Sequence, residues 1–150
     1  DCCSTYSWYG KEVWLGYELF FERLHALRGG VNVSGEMHAV ELVAVDDISS
    51  ASRAEANAHY LTRGLGIQLL LGPSISNVAN AVGAVAHTNN ATVVAANANH
   101  PSVYKDRPRM FGISTPSHSI IEASLKALSG TASTVAYILE AGDGKFVVRI

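Results

Sequence analysis

The stretch from Ile67 to Ala86 holds the side chains best placed to bind a small ligand. An apolar run, IQLLL, leads into Gly72-Pro73, and proline ends a strand there because it donates no ladder hydrogen bond. Ser74, Ser76 and Asn77 follow, ahead of a stretch in which valines recur at helical spacing. The pattern predicts a strand, a hydroxyl-rich turn, and a helix that begins at the C-terminal edge of the sheet. The free N–H groups and the dipole of such a helix suit an anion, for example a carboxylate.

A second interpretation of the same turn is purely structural. Serine and asparagine are favoured N-cap residues, so Ser76 and Asn77 could serve only to cap the helix. The sequence alone leaves both interpretations open.

Motifs for catalysis are missing from the sequence. Gly64-Leu65-Gly66 precedes a strand instead of opening a helix, so the dinucleotide fingerprint fails, and no phosphate loop, nucleophile elbow or zinc-protease motif occurs. Asp46-Asp47 could bind a metal in principle, but an acidic pair between a strand and a helix more often forms a turn and a cap. We therefore expect no cofactor, no metal and no enzymatic activity.

Two tripeptides match the acceptor pattern for N-linked glycosylation, Asn32-Val33-Ser34 and Asn90-Ala91-Thr92. A chain so rich in asparagine gives about one such match by chance, so the pattern alone carries little weight.

Composition excludes some classes of partner. The 150 residues are 48% hydrophobic and 16% charged, which is typical of a folded globular domain. A net charge of −2 gives no support for a nucleic-acid or anionic-membrane partner. No apolar run approaches the length of a transmembrane helix, so any contact with a membrane would have to come from segments outside this chain. The adjacent cysteines, Cys2 and Cys3, cannot staple the fold, and the compartment cannot be inferred from them.

Alternating patterns along the chain predict a parallel α/β sheet with right-handed crossovers. Residues 1–10 show no period and are predicted as a loop. Apolar spacing predicts helices near 11–28, 52–63, 77–88 and 117–128. Apolar runs bounded by turn residues predict strands near 39–46, 67–72, 91–96 and 134–139, with a short one at 110–114.

These parts stand in the order and spacing of a known family. The helix ending in Gly29-Gly30, the run AVELVAVDD, the strand followed by Gly-Pro-x-x-Ser, and VVAANANHPSVYKDRPRMFGISTP resemble the first lobe of the type I periplasmic binding proteins. This superfamily includes the branched-chain amino-acid-binding proteins and the ligand-binding regions of Venus-flytrap receptors. The resemblance implies a Rossmann-like parallel sheet with helices on both faces. It also implies that the first, central strand of the lobe is missing, that residues 1–116 form lobe 1, and that residues 117–150 begin a truncated lobe 2.

The resemblance also implies which residues meet the ligand. Ser76 matches the serine that holds the ligand's carboxylate, with Asn77 beside it. The loop Asn97-Ala98-Asn99 matches the one that offers a carbonyl and a hydroxyl to the ammonium group, although asparagine stands where serine or threonine is usual. Tyr9 matches the aromatic residue of the first loop that lies along the ligand.

Two functional hypotheses follow. The first is non-catalytic binding of a small extracellular ligand, an amino acid or a similar carboxylate, by part of a signalling receptor or of a transport-associated binding protein. Such a protein would be extracellular or periplasmic, and the resemblance admits a homodimer through lobe 1. The alternative is an enzyme or a regulatory domain on a generic doubly wound sheet, which would need a catalytic constellation that the sequence does not show.

Overall fold

A computed structural model describes residues 7–131. Its helices and strands, in chain order, are α1 (Ser7–Arg28), β1 (Val31–Val33), β2 (Glu36–His38), α2 (Ala51–His59), β3 (Leu69–Leu71), α3 (Ser76–Thr88), β4 (Thr92–Ala95), β5 (Met110–Gly112) and α4 (Ser117–Leu128). A π-helical turn (Tyr60–Gly64) extends α2, and a 3-10 turn (Pro101–Val103) lies between β4 and β5.

The centre of the fold is a parallel sheet in the order β3-β4-β5. The register places Leu70 beside Val93, and Val93 beside Met110, so these three side chains form one row on the same face. All three are buried in one cluster with the apolar residues of α2 and α3, among them Ala58 and Val78. The core therefore lies between this face of the sheet and those two helices.

Within residues 7–131, little of the chain covers the opposite face of the sheet. Its row consists of Leu71, Val94 and Phe111, and the first and last of these are 44% and 54% exposed. No residue of α1, the whole of which is described, is buried. In the described part of the chain, the apolar core is thus one-sided.

The predicted helices are confirmed. The helices expected at 77–88 and 117–128 are α3 and α4, and the one expected at 52–63 is α2 with its π-helical extension. Ser50 caps α2, since its Oγ accepts from the backbone N–H of Arg53. The loop predicted for residues 1–10 is wrong over residues 7–10, because α1 begins at Ser7.

The predicted strands at 67–72, 91–96 and 110–114 are confirmed as β3, β4 and β5, each somewhat shorter than predicted. The strand predicted at 39–46 is wrong, because residues 39–47 form no strand. A strand needs a hydrogen-bonded neighbour, and within residues 7–131 none lies beside this segment. The run AVELVAV has the composition of a strand, but it has no ladder to join.

An antiparallel hairpin of β1 and β2 precedes that segment and was not predicted. Its turn is Ser34-Gly35, and both residues have positive φ (54° and 96°), as the two-residue turns of hairpins require. The Ser34-Gly35 dipeptide could have predicted this turn, since Ser-Gly often marks a turn.

Residues 7–131 thus form a mixed α/β structure, a three-stranded parallel sheet flanked by helices. None of the described helices has both the length and the apolar character needed to cross a membrane. The strand predicted at 134–139 lies outside the described residues.

Candidate functional site

The N-terminus of α3 is uncapped. Its N-cap residue is Ile75, whose side chain cannot accept a hydrogen bond, and the first backbone bond of the helix runs from the N–H of Ala79 to the Ile75 carbonyl at 2.8 Å. The N–H groups of Ser76, Asn77 and Val78 consequently have no acceptor among residues 7–131. Three donors and the positive end of the helix dipole are available at this point.

Ser76 contacts the loop that follows β4. Its Oγ accepts from the backbone N–H of His100 at 3.4 Å, and it makes no capping bond within α3. The interpretation of Ser76 as a mere helix cap is therefore wrong. The hydroxyl proton of Ser76 has no acceptor among the described residues, so it can be donated to a ligand.

The loop of residues 97–99 is fixed in place from three directions. The Ser114 hydroxyl, just beyond β5, lies 3.1 Å from the Ala96 carbonyl and also hydrogen-bonds to Oδ1 of Asn97. The Tyr104 hydroxyl donates to the Ala98 carbonyl. Ser114 and Tyr104 reach the loop from different segments of the chain, so its conformation is set before any ligand arrives.

The start of α4 supplies the third of these contacts. The N–H of Ser117 donates to the Asn99 carbonyl at 3.0 Å, and the N-cap of this helix is Pro116, which makes no side-chain cap. The N-termini of α3 and α4 therefore flank the same loop, and neither has a side-chain cap. Both dipoles favour negative charge beside it.

Tyr104 is the structural centre of this arrangement. Burial raises the pKa of its phenol, so the hydroxyl stays protonated and able to donate at neutral pH. Its acceptor, the Ala98 carbonyl, belongs to a residue that is only 1% exposed. Ala98 therefore anchors the loop, and its carbonyl is already engaged by the phenol.

The remaining predicted residues are placed as follows. Asn77 is exposed at the N-terminus of α3, and its side chain makes no hydrogen bond within residues 7–131. Asn97 is exposed, while Asn99 is half-buried and uses its carbonyl to hold α4. The structure thus brings Ser76, Asn77 and the 97–99 loop to one edge of the sheet.

Tyr9 lies elsewhere on α1, half-buried and packed edge-to-face against Trp8 at a ring-centre distance of 5.5 Å. It lines a groove of about 900 Å³ that also reaches Ser74 and Ile75, next to Ser76. Within the described part of the chain, no hydrogen bond or ring contact joins Tyr9 to Ser76 or to the 97–99 loop. The groove continues between β3 and residues 40–47.

Three residues that shape this candidate site were not predicted from the sequence, namely His100, Tyr104 and Ser114. For His100, the neighbouring Pro101 was a sequence signal for a turn. In the structure, the Nδ1 of His100 accepts from the Ser102 N–H at 3.2 Å and so caps the 3-10 turn. No periodic signal in the polar run that follows distinguishes Tyr104 from its neighbours. Its role depends on a contact with the 97–99 loop that only the folded chain creates.

The chemistry available at this edge is binding by hydrogen bonds. Within residues 7–131, His, Cys, Asp and Glu side chains form no group of three that could hold a metal ion. Backbone N–H groups and the Ser76 hydroxyl can donate to an anion, while asparagine side chains can donate or accept.

Comparison with known families gives one result of wide coverage. A family model described as periplasmic binding protein, of the type I, Leu/Ile/Val-binding-like kind, matches residues 2–146. Comparisons with curated proteins and with solved structures returned no match. Members of this family are generally non-enzymatic proteins that bind small ligands in an extracellular or periplasmic location. The match spans nearly the whole chain and agrees with the parallel sheet described above, so this chain belongs to the type I periplasmic binding protein family.

Proposed function

We propose that this chain is the first lobe of a non-catalytic protein that binds a small extracellular ligand bearing a carboxylate, such as an amino acid. The observation that carries the proposal is the uncapped N-terminus of α3, where the Ser76 hydroxyl lies beside the loop after β4. A carboxylate there accepts from the Ser76 hydroxyl and from the free N–H groups of the first turn.

Asn77, Asn97 and Asn99 define the rest of the ligand's surroundings in this proposal. An amide side chain offers both a donor and an acceptor, so these residues suit an ammonium, hydroxyl or amide group on the same ligand. Asn97 already accepts from Ser114 through its Oδ1, which leaves its Nδ2 as the group for the ligand. Ala98 contributes through the loop conformation, and Tyr9 closes the side nearest the groove.

The proposed protein closes two lobes on its ligand, with residues 1–116 as lobe 1 and residues 117–150 as the beginning of lobe 2. The site described here is open at one side, so one lobe alone should bind weakly or not at all, because ligand sites of this kind bury most of the ligand. The proposed setting is the ligand-binding region of a signalling receptor or a transport-associated binding protein.

Calorimetric titration of the two-lobe protein tests the proposal. L-amino acids and the matching amino-acid amides serve as probes, since each pair differs only in the charged carboxylate. Ser76→Ala should weaken binding of the acid by about 1–3 kcal/mol, because a hydrogen bond to a charged group is lost. The amide should bind more weakly than the acid and respond little to the substitution.

The matched control is Ser124→Ala, which removes an exposed hydroxyl that bonds to the Ile120 carbonyl of its own helix. This variant should bind the acid as the unchanged protein does. If Ser76→Ala leaves the affinity for every bound carboxylate unaltered, the assignment of Ser76 is wrong.

A further inference from the structure

Asn32 lies in the β1–β2 hairpin, near its tip. It belongs to β1, pairs across the hairpin with Met37, and is separated from the turn Ser34-Gly35 by Val33 alone. Every residue from Val31 to His38 is exposed. The tripeptide Asn32-Val33-Ser34 is therefore exposed, in a hairpin whose ladder bonds, among residues 7–131, join only its own two strands.

The side chain of Asn32 points away from the neighbouring groove. Val31 lines that groove, and successive side chains of a strand point to opposite faces, so Asn32 projects from the other face. Its Oδ1 accepts from the Gly35 N–H at 3.0 Å, which fixes the orientation of the carboxamide. Within residues 7–131, no acceptor binds its Nδ2 and no group binds the Ser34 hydroxyl.

Asn90, in the second tripeptide, has a different environment. Ala91 is buried, and Thr92 begins β4, where its N–H donates to the Gln68 carbonyl at 2.8 Å. The Asn90 carbonyl accepts from Arg109 at 2.9 Å. This tripeptide is part of the central sheet and of its contact with β5, although the Asn90 side chain is itself exposed.

We infer that Asn32 is a site of N-linked glycosylation. In the transfer, a bond forms between Nδ2 of Asn32 and the anomeric carbon of a lipid-linked oligosaccharide pyrophosphate. The bond from that carbon to the pyrophosphate breaks, the lipid pyrophosphate leaves, and Nδ2 gives up one proton. The inference rests on the extracellular location in the proposed function, since acceptor asparagines of this kind are modified in secreted chains.

A glycan at Asn32 is compatible with the folded chain. The carboxamide is exposed and its only hydrogen bond uses the oxygen, so the nitrogen can carry a sugar without breaking a contact in the described residues. Val31 lines the groove and the Asn32 side chain projects from the opposite face of the hairpin, so the modification should leave the groove open.

Translation of the chain in the presence of eukaryotic microsomes, behind an added secretion leader, tests the inference. The product should gain the mass of one glycan, and peptide-N-glycosidase should remove it without denaturant, with conversion of Asn32 to aspartate found by peptide mapping. The gain should be lost in Asn32→Gln and in Ser34→Ala, which removes the required hydroxyl. It should persist in Ser34→Thr and in the matched control Asn90→Gln.

Ser34→Thr retains the required hydroxyl, so it separates loss of the acceptor from any effect that the Ser34→Ala substitution has on folding. Absence of a glycan overturns the inference, as does a single glycan that is lost in Asn90→Gln and kept in Asn32→Gln. Two glycans, one lost in each variant, keep Asn32 as a site and overturn the distinction from Asn90. A glycan released only after denaturation contradicts the exposed position of Asn32. Because the leader delivers the chain, none of these outcomes bears on ligand binding, which calorimetry measures separately.

Discussion

Gly112 lies where a side chain would displace Tyr104. A Cβ atom built on Gly112 would be 2.3 Å from the Tyr104 hydroxyl oxygen and 2.6 Å from Cζ of its ring. Non-bonded carbon contacts are most favourable near 3.5–4.0 Å, so the phenol would have to retreat by about 1 Å in Gly112→Ala. That movement breaks the bond from Tyr104 to the Ala98 carbonyl.

The size of the effect follows from two contributions. Forcing an extra carbon into a packed region costs about 1–3 kcal/mol. Leaving the buried Ala98 carbonyl without its donor costs about 1–3 kcal/mol more. We expect Gly112→Ala to lower the free energy of unfolding by about 2–4 kcal/mol. This lies in the lower part of the sum of the two costs, because the Tyr104 ring can partly adjust.

Tyr104→Phe isolates the hydrogen bond, since it removes the hydroxyl and keeps the ring. It should cost about 1–2 kcal/mol. The double variant should cost about 1 kcal/mol less than the sum of the two single variants, because the same hydrogen bond can be lost only once.

Urea-induced unfolding followed by far-ultraviolet circular dichroism measures these differences. The control is Gly16→Ala, at a helical position where an added Cβ meets nothing within 4 Å; it should stabilise by about 0.5–1 kcal/mol. Additivity of the two substitutions within about 0.5 kcal/mol would refute the coupling between Gly112 and the Tyr104 bond. A neutral Gly112→Ala would refute the packing argument itself.

The two faces of the sheet should respond differently to truncation. Val93→Ala, at a fully buried position, should cost about 2 kcal/mol in urea unfolding, whereas Leu69→Ala, at a side chain 77% exposed, should cost about 0.5 kcal/mol or less; equal losses would contradict the one-sided core. Because burial raises the pKa of Tyr104, its stabilising contribution is complete below the unfolded-state value of about 10 and declines as pH rises toward the higher folded pKa. Between about pH 9 and 11, the free energy of unfolding should therefore decline less in Tyr104→Phe than in the unchanged protein. An equal decline in both proteins would show that the Tyr104 phenol does not contribute to it. Leu69 and Leu71 point to the same exposed face of the sheet, so the protein should associate as its concentration rises, and Leu69→Lys should reduce this association. Sedimentation velocity measures it. A monomer at every concentration, with a sharp thermal transition, would argue against it.

Local pattern was sufficient to predict the elements that carry their own signal. The helices at 77–88 and 117–128 have apolar residues at helical spacing, and they form over those ranges almost residue for residue. The strands at 67–72 and 91–96 also form, because each has a neighbour in the sheet. The run at 39–46 has equally strong strand composition and forms no strand, since a β-ladder depends on a partner that local sequence does not specify.

The site shows the same limit. That Ser76 and the loop after β4 lie together at one edge of the sheet could be predicted, because the turn after a strand and the resemblance to a family both mark them, while their part in binding a ligand stays a prediction. Tyr104, Ser114 and His100 could not, because their roles consist of hydrogen bonds between segments distant in sequence. Such contacts depend on the register of β4 and β5, which pairs Ala95 with Gly112 and so brings the chain beyond β5 back to the loop.

The stability of the site and the groove beside β3 should therefore be separable. Each contact that fixes the 97–99 loop comes from the chain after β4, through Tyr104, Ser114 and the first residue of α4. The backbone groups of Leu69 and Leu71, by contrast, point away from β4, because Gln68 and Gly72 make the bonds to that strand. No described strand lies on this edge, and a partner that pairs with it would bury apolar surface and add ladder bonds without touching any contact of the loop. Substitutions along the groove should consequently change association, whereas substitutions at Tyr104 or Ser114 should change the position of the 97–99 loop.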